Sequence, residues 1–189
     1  TLKRGANKLK REVDIATKEL QENNTALINA LADLERLSNT DALTGAYNRH
    51  FMNHVFNDKT SHFNISKHCS FLMLDVDFFK KINDQYGHDG GDKVLTELII
   101  LVKQLCDEND WIVRWGGEEF IVVLNDTSRE NVLKKAQMIN DKIAAHQFII
   151  SDQHTLHCTC SIGVVSYPFS LSEPDALSWQ ETLNLADLA

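Results

Sequence analysis

The chain has 189 residues, of which 43% are hydrophobic and 24% charged, with only 2 Pro and 8 Gly. This composition is typical of a folded globular protein and excludes disordered, collagen-like and other low-complexity chains. Because 27 Asp and Glu outnumber 19 Lys and Arg, the formal charge is −8, which disfavours general nucleic-acid binding. A phosphorylated ligand would therefore need local cations, either basic side chains or a bound metal.

The cysteine pattern and the hydropathy indicate the setting of the chain. Cys69, Cys106, Cys158 and Cys160 are too few and too irregularly spaced for a disulfide scaffold, which favours a reducing environment. No apolar run approaches the ~18 residues that cross a bilayer, and no signal sequence is recognisable. We expect a soluble, cytoplasmic chain, and attachment of the native protein to the inner membrane through an upstream segment stays open.

Residues 1–40 carry apolar side chains seven positions apart, at Val13, Leu20, Leu27 and Leu34. This spacing keeps them on one stripe of a helix. One interpretation is an amphipathic helix lying on its own domain. We favour a parallel two-stranded coiled coil, hence a homodimer, because a mostly polar helix of this length has little reason to fold alone. A chain that begins inside a helix also suggests a missing upstream sensory domain.

Residues 41–189 are long enough for one domain with its own core. Two glycines between two apolar runs indicate a hairpin, which precludes an all-parallel sheet. We therefore expect an α/β domain with a mixed sheet. In chain order the predicted elements are a turn at 41–49 with a helix to about 56, a strand at 70–77, a polar turn at 83–92, a helix at 93–106, strands at 111–115 and 118–124 around Gly116-Gly117, a helix from the capping box Thr127-x-x-Glu130 to about 146, a strand at 157–165, and a helix opened by Ser178-x-x-Glu181.

Acidic residues occur at the ends of two predicted strands. Asp75 and Asp77 project to the same side of the first strand, where a cation would relieve their repulsion. The alternative is that Asp77 lies in solvent and caps the next turn. If the hairpin lies beside this strand, Glu118 meets Asp75 at the sheet edge, and their hard oxygen atoms suit Mg²⁺. An ordinary surface hairpin is the competing interpretation of the glycine pair.

Two lysines, Lys80 and Lys81, follow the first strand directly and are positioned to meet phosphate oxygens. Carboxylate-bound metal ions together with cations of this kind are what phosphoryl and nucleotidyl transfer require.

Five ordered motifs extend through the domain and identify a family. The chain resembles the GGDEF-domain diguanylate cyclases, here with the variant GGEEF and a preceding signalling helix. The motifs are Asp41-x-Leu43-Thr44-Gly45-x-x-Asn48-Arg49, Asp75-x-Asp77-x-Phe79-Lys80-x-Ile82-Asn83-Asp84-x-x-Gly87-His88-x-x-Gly91-Asp92, Arg114-Trp115 before GGEEF at 116–120, Ser161-Ile162-Gly163-Val164, and Ala186-Asp187.

The resemblance implies a fold and an activity. The fold is the nucleotidyl-cyclase and polymerase-palm type of α/β domain. The activity is condensation of two GTP molecules into cyclic di-GMP with release of two pyrophosphates, in a homodimer that holds one GTP per subunit.

The resemblance also implies which residues bind metal and act in catalysis. Asp75, the backbone carbonyl of Val76 and Glu118 would hold two Mg²⁺ ions, for which Mn²⁺ could substitute. Glu118 is in addition the candidate proton acceptor near the attacking 3′-hydroxyl. Glu119 is a second candidate catalytic residue and a weaker metal ligand.

The same resemblance assigns the substrate contacts. Asn83 and Asp92 match the pair that reads the guanine edge, because an amide and a carboxylate complement it. His88 matches a further substrate contact. The turn that touches the distal phosphates corresponds to Phe78, Phe79 and Lys80.

Two departures from the family pattern matter. The inhibitory product site of the family begins with Arg-x-x-Asp, but here Asp107 replaces the arginine and only Asp110 remains. An acid at that position should reject a bis-phosphodiester, so we expect no product inhibition there. The sequence also stops at Ala189, before the closing helix whose basic residues help hold the triphosphate, which predicts weak GTP binding unless that segment exists.

Simpler interpretations apply to other candidates. Cys158 and Cys160 share one strand face, whereas His157 points away, so core packing is favoured over a metal site. Trp111 and Trp115 are expected to pack rather than to stack a base. We expect Phe71, Phe78, Phe79 and Phe120 to form dry walls of the acidic site.

Two rival functions remain at this point. A catalytically silent GGDEF-like domain could bind GTP or a partner as a receptor or scaffold, although such copies usually lose some site residues. A palm-type adenylyl cyclase is disfavoured by the guanine-reading pair.

Overall fold

The computed structural model describes residues 2–57, 68–125, 127–151 and 153–186, without the side chains of residues 2–14, 32 and 36. The side chain of Val13 and the motif residue Asp187 thus lie outside the described residues. Contacts within the chain divide it into two units, Thr1–Ser38 and Asn39–Ala189.

The first unit is one long helix, α1 (Leu2–Asn39), as the absence of proline and the seven-residue spacing predict. Leu20, Leu27 and Leu34 keep 69%, 59% and 63% of their surface exposed. A repeated stripe of large exposed apolar side chains is typical of a helix that pairs with another helix. Pairing itself stays a prediction.

The second unit has a mixed sheet, as predicted. The main sheet has the order β1-β3-β4-β2-β7, in which β1 runs parallel to β3 and all other neighbours are antiparallel. A separate small sheet contains β5 and β6. The elements are β1 (Tyr47–Asn48), α2 (Arg49–Asn57), β2 (Cys69–Val76), α3 (Phe79–Lys103), β3 (Trp111–Gly116), β4 (Glu119–Asn125), α4 (Arg129–Ala145), β5 (Phe148–Ser151), β6 (His154–Leu156), β7 (Cys160–Tyr167) and α5 (Trp179–Ala186).

Strand β2 lies between β4 and β7 in the sheet, and helices packed on each side of the sheet bury both of its faces in two separate cores. Leu72 and Leu74 pack in one core with apolar residues of α3 and α4. Cys69 and Phe71 pack in the other core with residues of α2 and α5. Burial on both faces explains why this strand is an almost continuous apolar run.

The predicted polar turn at residues 83–92 is wrong, because this segment belongs to α3. The helix is interrupted only at Gly87, whose φ of 74° and ψ of 170° kink it. A Cβ atom on Gly91 would lie 2.0 Å from the side-chain oxygen of Asn83. Gly91 therefore allows the two halves of α3 to pack closely across the kink. The turn-like composition of residues 83–92 does not indicate this packing.

The ends of two helices test the predicted capping boxes. At α5 the prediction is confirmed: the Ser178 N–H and hydroxyl donate to the Glu181 carboxylate, and the Glu181 N–H donates to the Ser178 hydroxyl oxygen. At α4 the prediction is wrong by one residue. Ser128 is the N-cap and accepts from the Asn131 N–H, whereas the Thr127 hydroxyl donates to a backbone carbonyl.

The predicted strand at residues 157–165 is also corrected. It begins three residues later as β7, and the hairpin of β5 and β6 precedes it. These two strands have only four and three residues, and β1 has two. Strands this short produce little periodicity in the sequence, and pairing with a partner strand defines them.

Cys158, just before β7, and Cys160, its first residue, pack in the core, as predicted. Cys158 and Cys160 are both buried in the core shared with α3 and α4. Burial, and to a smaller extent the nearby Asp77 carboxylate, raises the pKa of Cys158 to about 11 and that of Cys160 to about 12. Both thiols therefore stay protonated at neutral pH, which does not suit a metal ligand.

The two tryptophans of β3 pack as expected. Trp111 is buried beside Phe51. Trp115 contacts Trp179 edge-on, and the Arg49 guanidinium lies 4.1 Å from its ring centre.

Helix α5 crosses β7 at a glycine. A Cβ atom at Gly163 would lie 1.9 Å from the carbonyl oxygen of Ala186. Because that oxygen belongs to the backbone, it cannot rotate away, and only glycine allows the helix to pack here.

We predict that Gly163→Ala displaces α5 and lowers the free energy of unfolding by about 1–3 kcal/mol, the usual effect of overpacking. Urea unfolding measures it. Gly116→Ala is the control, because its Cβ would meet nothing closer than a Glu119 oxygen at 3.6 Å. Equal midpoints for both variants would contradict the packing argument.

Candidate active site

The hairpin between β3 and β4 turns one residue later than predicted. Gly116 pairs with Glu119 and Arg114 pairs with Phe120, so Trp115 is an extra residue in β3. This bulge moves the two-residue turn to Gly117 and Glu118, and of these only Gly117 has a positive φ, 45°. Glu118 therefore lies in the turn, and not at the start of the strand.

Three polar side chains form a row across the sheet where β2 ends. Asp75 pairs with Glu119 on one side and with Ser161 on the other. Residues directly opposite in a sheet project to the same face, with Cβ atoms about 5 Å apart. The expectation that Glu118 faces Asp75 is therefore corrected, because Glu119 occupies that position and Glu118 is its neighbour in the turn.

The donor atoms of this row fit a magnesium ion that shares its coordination with a substrate. Carboxylate oxygens such as those of Asp75, Glu118 and Glu119 are the ligands that Mg²⁺ prefers. In the described part of the chain, no three His, Cys, Asp or Glu side chains are grouped closely enough to hold a metal by themselves. Mg²⁺ commonly binds through one or two carboxylates plus phosphate oxygens, so the residues present suit it.

Asp77 is half-buried and is hydrogen-bonded to the segment at the start of β7. Its N–H donates to the Thr159 carbonyl over 3.0 Å. One carboxylate oxygen accepts from the Thr159 hydroxyl, and the other accepts from the Ser161 hydroxyl over 2.8 Å. The Asp77 side chain therefore binds the neighbouring segment and is not seen to cap the next turn, while a cation beside Asp75 and Asp77 stays a prediction.

The turn after β2 contains a strained residue. Phe78 has φ 57° and ψ 29°, the left-handed conformation, and is 71% exposed. The Lys81 ammonium lies 4.2 Å from its ring centre. Phe78 is therefore not a dry wall of the site, whereas Phe79 is buried in the core beneath the turn and Lys80 is exposed.

The remaining aromatic side chains expected at the wall of the acidic site, Phe71 and Phe120, are fully buried and belong to the two cores.

The candidate guanine readers lie together on α3. Because the Asn83 side-chain oxygen lies against Gly91, the kink brings its amide beside the segment that carries Asp92. Asp92 lines a cavity of about 540 Å³ together with Leu43 and residues of α3 and β5. His88 is exposed and directly follows the kink.

Arg114 connects the acidic hairpin to the first turn of the domain. Its Nε and Nη2 donate to the Gly117 carbonyl over 3.0 and 2.9 Å. Its Nη1 donates to both carboxylate oxygens of Asp41 over 3.0 and 3.2 Å. The sequence motifs included Arg114 but indicated no role for it, because the two partners lie on different elements.

The Asp41 carboxylate also fixes its own turn by accepting from the Thr44 N–H and hydroxyl. Burial alone would raise the pKa of Asp41, but the hydrogen bonds from Thr44 and Arg114 lower it below its usual value. Asp41 is therefore ionised at neutral pH and holds the guanidinium as an ion pair.

Residues 107–110, where the family has its Arg-x-x-Asp product-site motif, form an ion cluster with Lys135. Lys135 donates to Asp107 over 2.7 Å and to Asp110 over 3.0 Å. Partial burial acts to lower the pKa of Lys135, and the two carboxylates more than offset this, so it lies above its ordinary value. Asp110 also accepts from the N–H groups of Asp107 and Asn125.

Comparison with known proteins is consistent with these observations. The profile of the family described as diguanylate cyclase, GGDEF domain matches residues 38–189, which is most of the chain. The chain belongs to the GGDEF-domain diguanylate cyclase family. The resemblance found in the motifs is thereby confirmed, and the hairpin at 116–120 is the element that gives the family its name.

Individual relatives support the same assignment. The chain is 36% identical over 151 residues to diguanylate cyclase A of Treponema denticola, covering 77% of this chain and 40% of that protein. It is 36% identical over 143 residues to the response regulator PleD of Caulobacter vibrioides, covering 75% and 32%. The chain thus spans about a third to two fifths of the length of these relatives.

A solved structure shares the fold over the whole chain. The diguanylate cyclase SiaD of Pseudomonas aeruginosa, solved in complex with its activator SiaC, gives a TM-score of 0.70 at 27% identity. The match covers 100% of this chain and 70% of that one. Within the described residues, none of the helices has both the length and the apolar character needed to cross a membrane.

We predict that Arg114→Met frees the GGEEF hairpin. The loss of charge-assisted hydrogen bonds should lower the free energy of unfolding by about 1–3 kcal/mol. It should also accelerate amide hydrogen exchange at residues 116–119, measured by NMR. Arg129→Met, an exposed arginine of α4, is the matched control. Unchanged exchange in the hairpin of Arg114→Met would show that Arg114 does not hold it.

Proposed function

We propose that the domain condenses two GTP molecules into cyclic di-GMP and two pyrophosphates, as a homodimer with one GTP per subunit. The row formed by Asp75 and Glu119, with Glu118 in the adjoining turn, is the observation that carries this proposal. Carboxylates at this position suit a bound metal and a proton acceptor, and the chain retains them together with the guanine-reading pair.

The reaction needs two displacements at phosphorus. In each, the 3′-hydroxyl oxygen of one nucleotide forms a bond to the α-phosphorus of the other, and the bond from that phosphorus to the β-phosphate oxygen breaks. Pyrophosphate leaves with the electron pair, and the hydroxyl proton passes to a base. Glu118 is our candidate for that base because it lies in the turn beside Glu119 and Asp75.

The residues that would hold Mg²⁺ are Asp75, the Val76 carbonyl and Glu118, with Glu119 as a further candidate. When bound, Mg²⁺ or Mn²⁺ would neutralise charge on the phosphates. Asn83 and Asp92 would orient guanine, and the exposed side chains of Lys80 and His88 would contact the rest of the nucleotide.

A homodimer follows from the symmetry of the product. One domain provides one nucleotide site, whereas cyclic di-GMP contains two nucleotides joined in the same way twice. Two domains must therefore face each other, and pairing of α1 through its exposed leucine stripe would hold them at high effective concentration. An upstream sensory domain, as expected for a signalling helix, would act through this pairing.

Product inhibition through the Arg-x-x-Asp position is not expected. Asp107 and Asp110 already share the Lys135 ammonium, and an anionic product would meet two carboxylates there. The cluster supports the view that this position has become structural.

The central test is product identification. We expect the full-length protein with GTP and Mg²⁺ to form cyclic di-GMP, separated by chromatography, and to leave ATP unreacted. Glu118→Gln should lower kcat by roughly 10²- to 10⁴-fold, because it removes the base and a metal ligand. The matched control is Glu108→Gln, which changes an exposed glutamate outside the site.

The rival functions give different outcomes. GTP binding without turnover by the wild-type protein would indicate a receptor or scaffold. Wild-type turnover that survives Glu118→Gln would mean that the assignment of Glu118 is wrong.

A second prediction concerns the helix. Leu20→Asp with Leu27→Asp should convert the dimer to a monomer, because both charges would be buried in the pairing stripe. Activity per subunit should then fall and rise again with protein concentration. Mass and activity are followed together by light scattering and assay. Lys18→Asp with Thr25→Asp, also seven residues apart but on the opposite side, should keep the dimer.

A further inference from the structure

We propose that Asp77 is a positioning residue that holds the phosphate-binding turn, residues 78–80, by hydrogen bonds to Thr159 and Ser161. This inference rests on the proposed function, in which the turn meets the distal phosphates of GTP. It assigns different tasks to the two carboxylates of the Asp75-x-Asp77 motif, which lie on the same face of the same chain segment.

Both oxygens of the Asp77 carboxylate have hydroxyl donors. The Thr159 hydroxyl donates to Oδ2 and the Ser161 hydroxyl donates to Oδ1. The backbone N–H of Asp77 donates to the Thr159 carbonyl over 3.0 Å. Three hydrogen bonds therefore connect Asp77 to Thr159, 82 residues further along the chain, and to Ser161 in β7.

One of these donors, the Ser161 hydroxyl, belongs to the row at the end of β2. Ser161 is the direct neighbour of Asp75 across the ladder, and its hydroxyl is directed diagonally to Asp77. Hydroxyl groups stabilise an ionised carboxylate without a metal ion. With both oxygens already accepting from hydroxyl groups, Asp77 is suited to hold the chain in place, and the proposed function assigns the metal to Asp75.

Phe78, which directly follows Asp77, has a strained backbone conformation. Phe78 has the left-handed conformation, which is unfavourable for a residue other than glycine and persists only where the surroundings impose it. Asp77 fixes the chain on one side of Phe78. On the other side, the N–H of Lys81 donates to the Phe78 carbonyl over 2.8 Å and starts α3.

The left-handed residue determines where the first N–H groups of α3 point. The initial N–H groups of a helix have no partner within the helix and are suited to bind anions. The direction of these groups at residues 79 and 80 depends on the Phe78 backbone, and that backbone is anchored through Asp77. Loss of the anchor should therefore weaken binding of the phosphates more than it slows the chemical step.

The experiment separates hydrogen bonding from charge. Asp77→Ala should raise KM for GTP about tenfold, the loss expected for one charge-assisted hydrogen bond, with a smaller change in kcat. Asp77→Asn keeps a hydrogen-bonding side chain and should restore KM to within about threefold of wild type. Thr159→Val with Ser161→Ala leaves the charge of Asp77 in place but removes both donors, and should behave like Asp77→Ala.

Asp75→Asn is the comparison on the same face. Because Asp75 is assigned to metal binding, loss of its charge should abolish turnover, whereas the same substitution at Asp77 should not. If Asp77→Asn is as inactive as Asp75→Asn, or if the hydroxyl double variant has the KM of wild type, Asp77 acts by its charge and the proposal is overturned.

A measurement without nucleotide keeps the inference separate from the proposed function. In the unliganded protein, amide hydrogen exchange at Asp77 and Lys81, whose N–H groups donate to the Thr159 and Phe78 carbonyls, should be faster in Asp77→Ala and in the hydroxyl double variant than in wild type or Asp77→Asn. If the wild type makes no cyclic di-GMP but this exchange pattern holds, the function fails and the positioning role stands. Equal exchange in all variants overturns the positioning role, whatever the activity.

Discussion

Like charges facing each other across two strands are the constraint on which the site depends. Asp75 on β2 pairs directly with Glu119 on β4, and Glu118 adds a third carboxylate in the next turn. Opposed carboxylates destabilise a sheet unless cations or hydrogen-bond donors compensate them. A protein with a formal charge of −8 has few cations to spare for this purpose. In the proposed function, a metal ion that binds together with the phosphates of the substrate supplies part of this compensation.

Three basic side chains of the domain have structural partners. Arg114 is shared between Asp41 and the Gly117 carbonyl, so it fixes the hairpin without approaching the carboxylates as a counterion. Lys135 is held between two aspartates. Lys81 covers the exposed ring of Phe78. Fixed cations of this kind determine the geometry of the hairpin and of the turn after β2.

Structural features that depend on residues close together in the chain could be predicted from the sequence. The apolar run of β2, the seven-residue spacing of α1 and the capping box of Ser178 and Glu181 each depend on neighbouring residues, and each was found. The hairpin turn was misplaced by one residue because the bulge at Trp115 is a property of strand pairing. The helical nature of residues 83–92 was missed because Gly91 is needed for packing across the kink, which composition does not distinguish from a turn.

The difference between local interactions and strand pairing also explains which site residues could be predicted. Motif resemblance identified Asp75 and the GGEEF hairpin, but the choice between Glu118 and Glu119 as the residue opposite Asp75 depends on the ladder register. The partners of Asp77 come from β7 and the residue before it, so no spacing within the Asp75-x-Asp77 motif could reveal them. A motif of two carboxylates suggests one shared task. The hydroxyl groups of Thr159 and Ser161 bind both oxygens of the second carboxylate, and these contacts are the reason for which we assign Asp77 a task of its own.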